Sequence, residues 1–234
     1  MGRPSNRMMR IKDEGLDCAS ASSASAALRE PNPQATSAVA ALAQAMSASQ
    51  HEVRALFTGG TFCYEAQSVF LERGLACRSN APAHGALSVG DKVLKPPLGS
   101  PTTHLFLDLG DDDYTRGRPH PMIDPLPRDA LLREQAGDAA TAAILFDVVL
   151  GHGSHADPAA GLALAIAAAQ HEAKAAGRTL AFIGHVCGTE GDPQDKARQQ
   201  RLLQEAGAII AGSNVEAALL AATLAMARAS QHAG

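Results

Sequence analysis

Tryptophan is absent from this chain of 234 residues, tyrosine occurs twice, and aromatic residues supply only 3% of the sequence. With hydrophobic residues at 46%, a core has to be assembled from Ala, Leu, Ile and Val, and the length suffices for one substantial domain. Cysteine is scarce as well. Cys18, Cys63, Cys77 and Cys187 form no C-x-x-C pair and no spacing of a zinc ribbon or a disulfide framework, which fits a reducing compartment. The longest apolar stretches, at 162–169 and 217–227, fall short of the roughly 18 to 20 residues a membrane span requires. Residues 1–16 are polar and charged rather than signal-like. The expectation is a cytoplasmic protein with no membrane partner. Arg and Lys are dispersed and the net charge is −4, which argues against nucleic acid as a partner.

What is present changes character along the chain. Residues 1–50 are rich in Ser, Ala, Asn and Pro in low-complexity order; such a stretch buries too little apolar surface to offset its ordering entropy. It reads as a flexible amino-terminal tail with one helix at about 36–46. A second break, the proline-rich run at 96–101, reads as a surface loop. From residue 51 to 230 the hydrophobic period alternates. Strand-like runs fall at 53–57, 104–109, 142–150, 179–186 and 208–211, with a weak one near 76–79. Helical stretches lie between them at 61–73, 128–136, 158–176, 193–206 and 214–228. Gly74, Gly177 and Gly207 stand where helix caps belong, and Asp157-Pro158 and Asp192-Pro193 read as N-cap and first-turn pairs. Strands alternating with helices of this length predict a three-layer α/β domain: a parallel, flavodoxin-like sheet with helices on both faces.

In such a sheet, ligands gather at the carboxyl ends of the strands, and four strand-end loops carry the reactive side chains. Thr58, Gly59, Gly60 and Thr61 join a strand to a helix; the turn either offers backbone N–H groups to an anion or is simply tight. The loop from Asp108 to Asp124 sets Asp111, Asp112 and Asp113 beside Arg116 and Arg118. Either the arginines tie down a solvated acidic loop, or they recognise a carboxylate or phosphate through their planar forks while Asp111 and Asp112 position an amine or a metal. His152 and His155 read as acid–base or phosphate-contacting groups, as structural hydrogen-bonding groups, or as a weak metal pair without helical spacing. Cys187 is a nucleophile or a packed small residue. Beside it Gly188, Thr189 and Glu190 are placed to hydrogen-bond a ligand. No metal is expected.

Four segments carry a family resemblance: Gly59-Gly-Thr-Phe-Cys-Tyr-Glu-Ala66, Asp108-Leu-Gly-Asp-Asp-Asp-Tyr-Thr-Arg-Gly-Arg-Pro-His-Pro-Met-Ile-Asp-Pro125, Asp147-Val-Val-Leu-Gly-His-Gly-Ser-His-Ala-Asp-Pro158 and Val186-Cys-Gly-Thr-Glu-Gly-Asp-Pro-Gln194. Together they resemble the FdrA family, bacterial proteins related to the alpha subunit of succinyl-CoA synthetase, over about 54–225. The resemblance covers the carboxyl-terminal flavodoxin-like domain of such proteins. It implies Rossmann-type domains upstream in full-length relatives, so CoA or a nucleotide is expected only together with such domains.

The synthetase alpha subunit carries a phosphorylated histidine in a Gly-His-Ala-Gly-Ala loop. This chain has Gly188-Thr-Glu-Gly-Asp-Pro-Gln194 at that place, and His185 precedes the loop. FdrA-type proteins are described as acyl-CoA synthetases and are linked to allantoin breakdown, which implies a subunit of an oxamate carbamoyltransferase. On that reading Arg116, Arg118 and the Gly59-Gly60 turn bind the anionic substrate, and Asp111, Asp112, His120 or a loop histidine orients or deprotonates the amide-like nitrogen. An NDP-forming acyl-CoA ligase component and a non-catalytic assembly module are the alternatives. Other subunits are the expected protein partners, with self-association left open.

Overall fold

Strands that read as unbroken apolar runs are those a parallel sheet buries on both faces, and the chain folds accordingly. The computed structural model describes residues 30–89 and 104–232. Most of the expected tail, with Cys18, and the expected loop at 96–101 lie outside the described residues. The elements are α1 (Pro33–Ala45), β1 (Glu52–Phe57), α2 (Gly60–Glu72), β2 (Cys77–Ser79), β3 (Leu87–Ser88), β4 (His104–Asp108), α3 (Asp112–Thr115), α4 (Leu126–Gly137), β5 (Thr141–Val149), α5 (Pro158–Ala175), β6 (Ala181–Cys187), α6 (Lys196–Glu205), β7 (Ile209–Ala211) and α7 (Asn214–His232). The described strands form one sheet in the order β3-β2-β4-β1-β5-β6-β7, and every pairing is parallel.

Side chains alternate across a strand, so β1 feeds two cores. Val53, Ala55 and Phe57 join α1, α2 and α7 on one face; Leu56 joins α4, α5 and α6 on the other. The result is the three-layer, flavodoxin-like α/β architecture that the period predicts. Few aromatics are needed because small residues let the layers approach. Ala217, Ala218, Ala221, Ala222 and Ala225 of α7 are all buried. Gly184 in β6 leaves room for the Phe146 ring, whose Cζ would lie 2.6 Å from any Cβ added there.

The helix expected within the tail packs onto this unit. Asn32 caps α1 by accepting the Gln34 N–H at 2.8 Å, and Val39 and Ala43 are buried. Arg228 of α7 donates through Nε to the Gln50 carbonyl at 2.8 Å and through Nη1 to the Ala43 carbonyl at 2.9 Å. A lone arginine far along the chain therefore satisfies the end of α1, a pairing that no local pattern announces. The start of α6 also departs from expectation. Asp192 does not cap it; its carboxylate accepts the Thr189 N–H at 2.6 Å. Asp195 caps instead, accepting the Arg198 N–H at 3.0 Å from a left-handed backbone at φ 56°.

His104, at the amino end of β4, is buried against Phe70 with ring centroids 5.2 Å apart. Its Nδ1 accepts the Val53 N–H at 3.1 Å, so a proton placed there would face another N–H. Burial first, then the nearby His51 and Arg54 charges, depress its pKa from 6.5 to about 4. The unfolded chain therefore binds more protons between these values, and stability is full above pH 6.5 and is lost as pH falls toward 4. A depression of this size corresponds to a loss on the order of 3 kcal/mol. Glu52, raised mainly by burial, titrates with the opposite slope. The check is urea unfolding from pH 7 to pH 4 against His104→Gln, which keeps an acceptor; the variant is expected to lose markedly less stability across that window.

Candidate functional site

The connection leaving β1 runs through α2 on one face, while that leaving β5 runs through α5 on the other. Because β1 and β5 are neighbours and their connections leave to opposite faces, their carboxyl ends mark the usual ligand position in an open α/β sheet. A clamp ties the two ends together. Asp147, fully buried near the end of β5, accepts the Thr58 N–H through Oδ1 and the Thr58 hydroxyl through Oδ2, both at 2.7 Å. Burial raises the Asp147 carboxyl above its ordinary range, and the two Thr58 hydrogen bonds oppose that rise. Behind it the buried Arg128 donates to the Asp147 carbonyl at 3.1 Å and grips Asp129 Oδ1 through Nε and Nη2, also at 3.1 Å.

Past this clamp the chain turns at Gly59, which offers no side-chain cap to α2. The first-turn N–H groups of α2 thus lack the partner that Ser, Thr or Asp would supply. Asp108, ending β4, closes in from the other side. A Cβ on Gly60 would lie 2.7 Å from Asp108 Oδ2, so glycine is what allows the helix start and the carboxylate to approach. Asn80 holds the Asp108 backbone at both ends, accepting its N–H and donating to its carbonyl at 2.9 Å each. The carboxylate accepts the Gly110 N–H at 2.9 Å. Burial pushes the Asp108 carboxyl up, with Gly110 and His120 acting against the rise and Asp111 adding to it. His120 lies over Gly110, where an added Cβ would lie 2.5 Å from its Nε2. Its Nδ1 accepts the Met122 N–H at 3.2 Å, which leaves Nε2 to carry the proton of the neutral ring. An uncapped helix start, a buried carboxyl and an imidazole thus meet at one strand end, a constellation able to bind an anion and move a proton beside it.

Of the residues expected from the sequence, Thr58, Gly59, Gly60 and His120 come together here, with Thr61 exposed on the first turn of α2. The β5 loop adjoins them through the His155 N–H, which donates to the Met122 carbonyl at 2.7 Å. His152 and His155 are themselves exposed, and His155 Nδ1 accepts the Asp157 N–H. Gly188 packs on Leu150, whose Cβ would lie 2.8 Å from an added Cβ, so the β5 and β6 loops are neighbours. Gln194 staples the β5 loop, exchanging two hydrogen bonds with the Gly151 backbone. Burial raises the Cys187 thiol, which keeps it protonated and weak as a nucleophile. Thr189 is occupied with Asp192, and Glu190 is exposed.

The acidic loop divides. Asp111 caps α3 by accepting the Asp113 N–H, and Asp112 is exposed. Arg116 points to solvent with a 4.0 Å pairing to Asp113, while Arg118 lines a separate cavity beside α4. Among the described residues no three His, Cys, Asp or Glu side chains converge as metal ligands, and no helix is long and apolar enough to cross a membrane.

Three participants escape a reading by motif: Asp108, Asn80 and Asp147. Asp108 ends β4, whereas Asp147 lies inside β5, two residues before its end; a carboxylate at a strand end two residues before a glycine, as in Asp108-Leu-Gly110, is the signal that could have found the first. Asn80 follows a three-residue strand and carries no comparable mark.

Comparison with known proteins gives the family. "Uncharacterized protein YahF" of Escherichia coli (strain K12) is 39% identical over 172 residues, which is 74% of this chain and 32% of that protein. The chain therefore spans about a third of the length of that curated relative. Residues 56–224, well over half of the chain and including all four strand-end loops, match the family described as CoA-ligase. The chain belongs to the CoA-ligase family.

Proposed function

We propose that this domain is the anion-handling part of an acid–thiol ligase of the succinyl-CoA synthetase type, with CoA and nucleotide carried by a separate domain or polypeptide. The observation that carries the reading is the uncapped start of α2 facing the Asp108–His120 pair across the neighbouring carboxyl ends of β1 and β4. Backbone N–H groups of α2 receive a carboxylate or phosphoryl oxygen, Asp108 holds or accepts a proton, and His120 Nε2 donates toward the same place. The Thr58–Asp147 clamp keeps the turn in position.

An anion beside Asp108 binds best when that carboxyl is protonated, so affinity rises as pH falls. The test is thermal unfolding of the full chain with inorganic phosphate, succinate and CoA at pH 5.5 and pH 7.5. A ligand that binds only the native state raises its melting temperature. Phosphate or succinate is expected to stabilise more at pH 5.5, and Asp108→Asn to flatten that difference. If no anion raises the melting temperature at either pH, the reading fails.

A second reading, a carbamoyl-transferring subunit of the FdrA type, is favoured by one observation. The Gly188–Gln194 loop contains no histidine, and His185 stays within β6 with its Nδ1 at 3.2 Å from the Ala211 carbonyl, where it is poorly placed to carry a phosphoryl group. Stabilisation by carbamoyl phosphate and oxamate, without stabilisation by succinate, would select this reading over the first.

A further inference from the structure

On the far side of the acidic loop, against α4, lies a cavity of about 390 Å³. It falls at the small end of the roughly 300–1,000 Å³ typical of ligand pockets, a size for a metabolite rather than a peptide. The candidate anion site does not use it: the loop presents Gly110 and His120 to the strand ends, and Tyr114 and Arg118 to the cavity. Leu109, Leu131, Pro119, Pro121 and Pro127 form apolar walls. The three prolines have their φ angles fixed by their rings, so the walls are pre-formed and little ordering is lost when a guest enters.

Apart from Arg128, the polar side chains of the lining have little else to hold: among the described residues only Asp124 is engaged, its Oδ1 accepting the Leu126 N–H at 3.2 Å. Arg118 makes no ion pair among the described residues, and neither do Asp124 and Glu134, which also line the cavity. Arg128, the other cation of the lining, is already committed to Asp129 and to two backbone carbonyls. Tyr114 contributes a buried hydroxyl with no hydrogen-bond partner, and burial raises its pKa to about 12, so it remains a donor. A purely anionic guest would meet two carboxylates, and a purely cationic one would meet Arg118. A guest bearing both charges satisfies each.

We propose that this cavity is a second ligand site, selective for a small zwitterion with an apolar arm, of the chemical class of an apolar α-amino acid. The guest's carboxylate pairs with Arg118, its ammonium group pairs with Glu134 or Asp124, and its side chain rests on the proline and leucine walls. The inference is independent of what binds at the strand ends.

The experiment follows backbone amide shifts of the full chain during titration with three probes: L-phenylalanine, N-acetyl-L-phenylalanine and L-phenylalaninamide. They share one apolar arm and keep both charges, the negative one or the positive one. Saturable shifts at Ala130 and Leu131 are expected, with phenylalanine at least fivefold tighter than either derivative. Arg118→Ala is expected to weaken phenylalanine at least fivefold and to leave phenylalaninamide unchanged or tighter. Ala130 is exposed, so Ala130→Trp fills the cavity from its rim without disturbing the core, and its amide spectrum reports that the fold is intact. The variant is expected to bind none of the probes. Absence of saturable shifts at these amides, equal affinity for the three probes, or binding that survives Ala130→Trp would overturn the proposal.

Discussion

Asp147→Ala is expected to lose about 3 kcal/mol of unfolding free energy, because the substitution strips two charge-assisted hydrogen bonds and leaves the Thr58 N–H buried and unpartnered. Thr58 is only 1% exposed and Asp147 fully buried, so water cannot substitute. Asp147→Asn separates geometry from charge. Burial outweighs the Thr58 and Arg128 contributions and raises the Asp147 pKa, so the clamp already favours its neutral form more than an exposed carboxyl would. An amide can accept the Thr58 N–H and donate to the Thr58 hydroxyl oxygen, keeping both contacts. Urea unfolding should therefore show Asp147→Asn costing about 1 kcal/mol, the worth of an ordinary hydrogen bond. A loss under 1 kcal/mol for the alanine variant would mean that the turn is held by something other than this clamp.

The second large effect lies at the opposite end of the sheet. Arg54 is fully buried in β1, with Nη2 2.5 Å from Glu52 Oε2 and 3.0 Å from Asp138 Oδ2. Glu52, Arg54 and Leu56 share a face by the two-residue period of the strand, so this ion pair sits beside the apolar core instead of in solvent. Desolvation makes such a pair poor as a net stabiliser, yet removing one partner strands the other charge and costs about 3–5 kcal/mol. Arg54→Met is expected to fall in that range. Adding Glu52→Gln should recover part of the loss, since one of the two stranded carboxylates then disappears while Asp138 remains. Chemical unfolding of the two single variants and the double variant decides the matter: if the double variant is as unstable as the sum of the singles, the two side chains are not coupled.

These two networks also mark the limit of what the sequence reveals. The central strands and the long helices were legible because parallel strands covered on both faces read as apolar runs, and because Gly74, Gly177 and Gly207 adopt the left-handed φ of 72°, 69° and 91° that stops a helix. Thr58, Gly60 and His120 were legible as loop chemistry at strand ends. Asp108 and Asp147 were not singled out, since a carboxylate inside an apolar strand acquires its meaning from the residue it faces across the sheet. Asn80 and Arg228 act over 28 and 185 residues respectively, distances at which spacing rules are silent. Arg116 and Arg118, adjacent in every motif sense, part company because the short turn of α3 sends one to solvent and the other to the cavity.

The sheet's borders restrict how this domain can meet other polypeptides. At one border β3 contributes only Leu87–Ser88, and at the other β7 contributes only Ile209–Ala211. Among the described residues, two or three positions at each margin offer few free backbone donors and acceptors to template an added strand, which is how native proteins keep such margins from recruiting unwanted chains. Pairing by strand addition is thereby disfavoured at these two margins, which leaves the helical faces and the strand-tip loops around Gly59 and His120 as the surfaces able to meet another molecule.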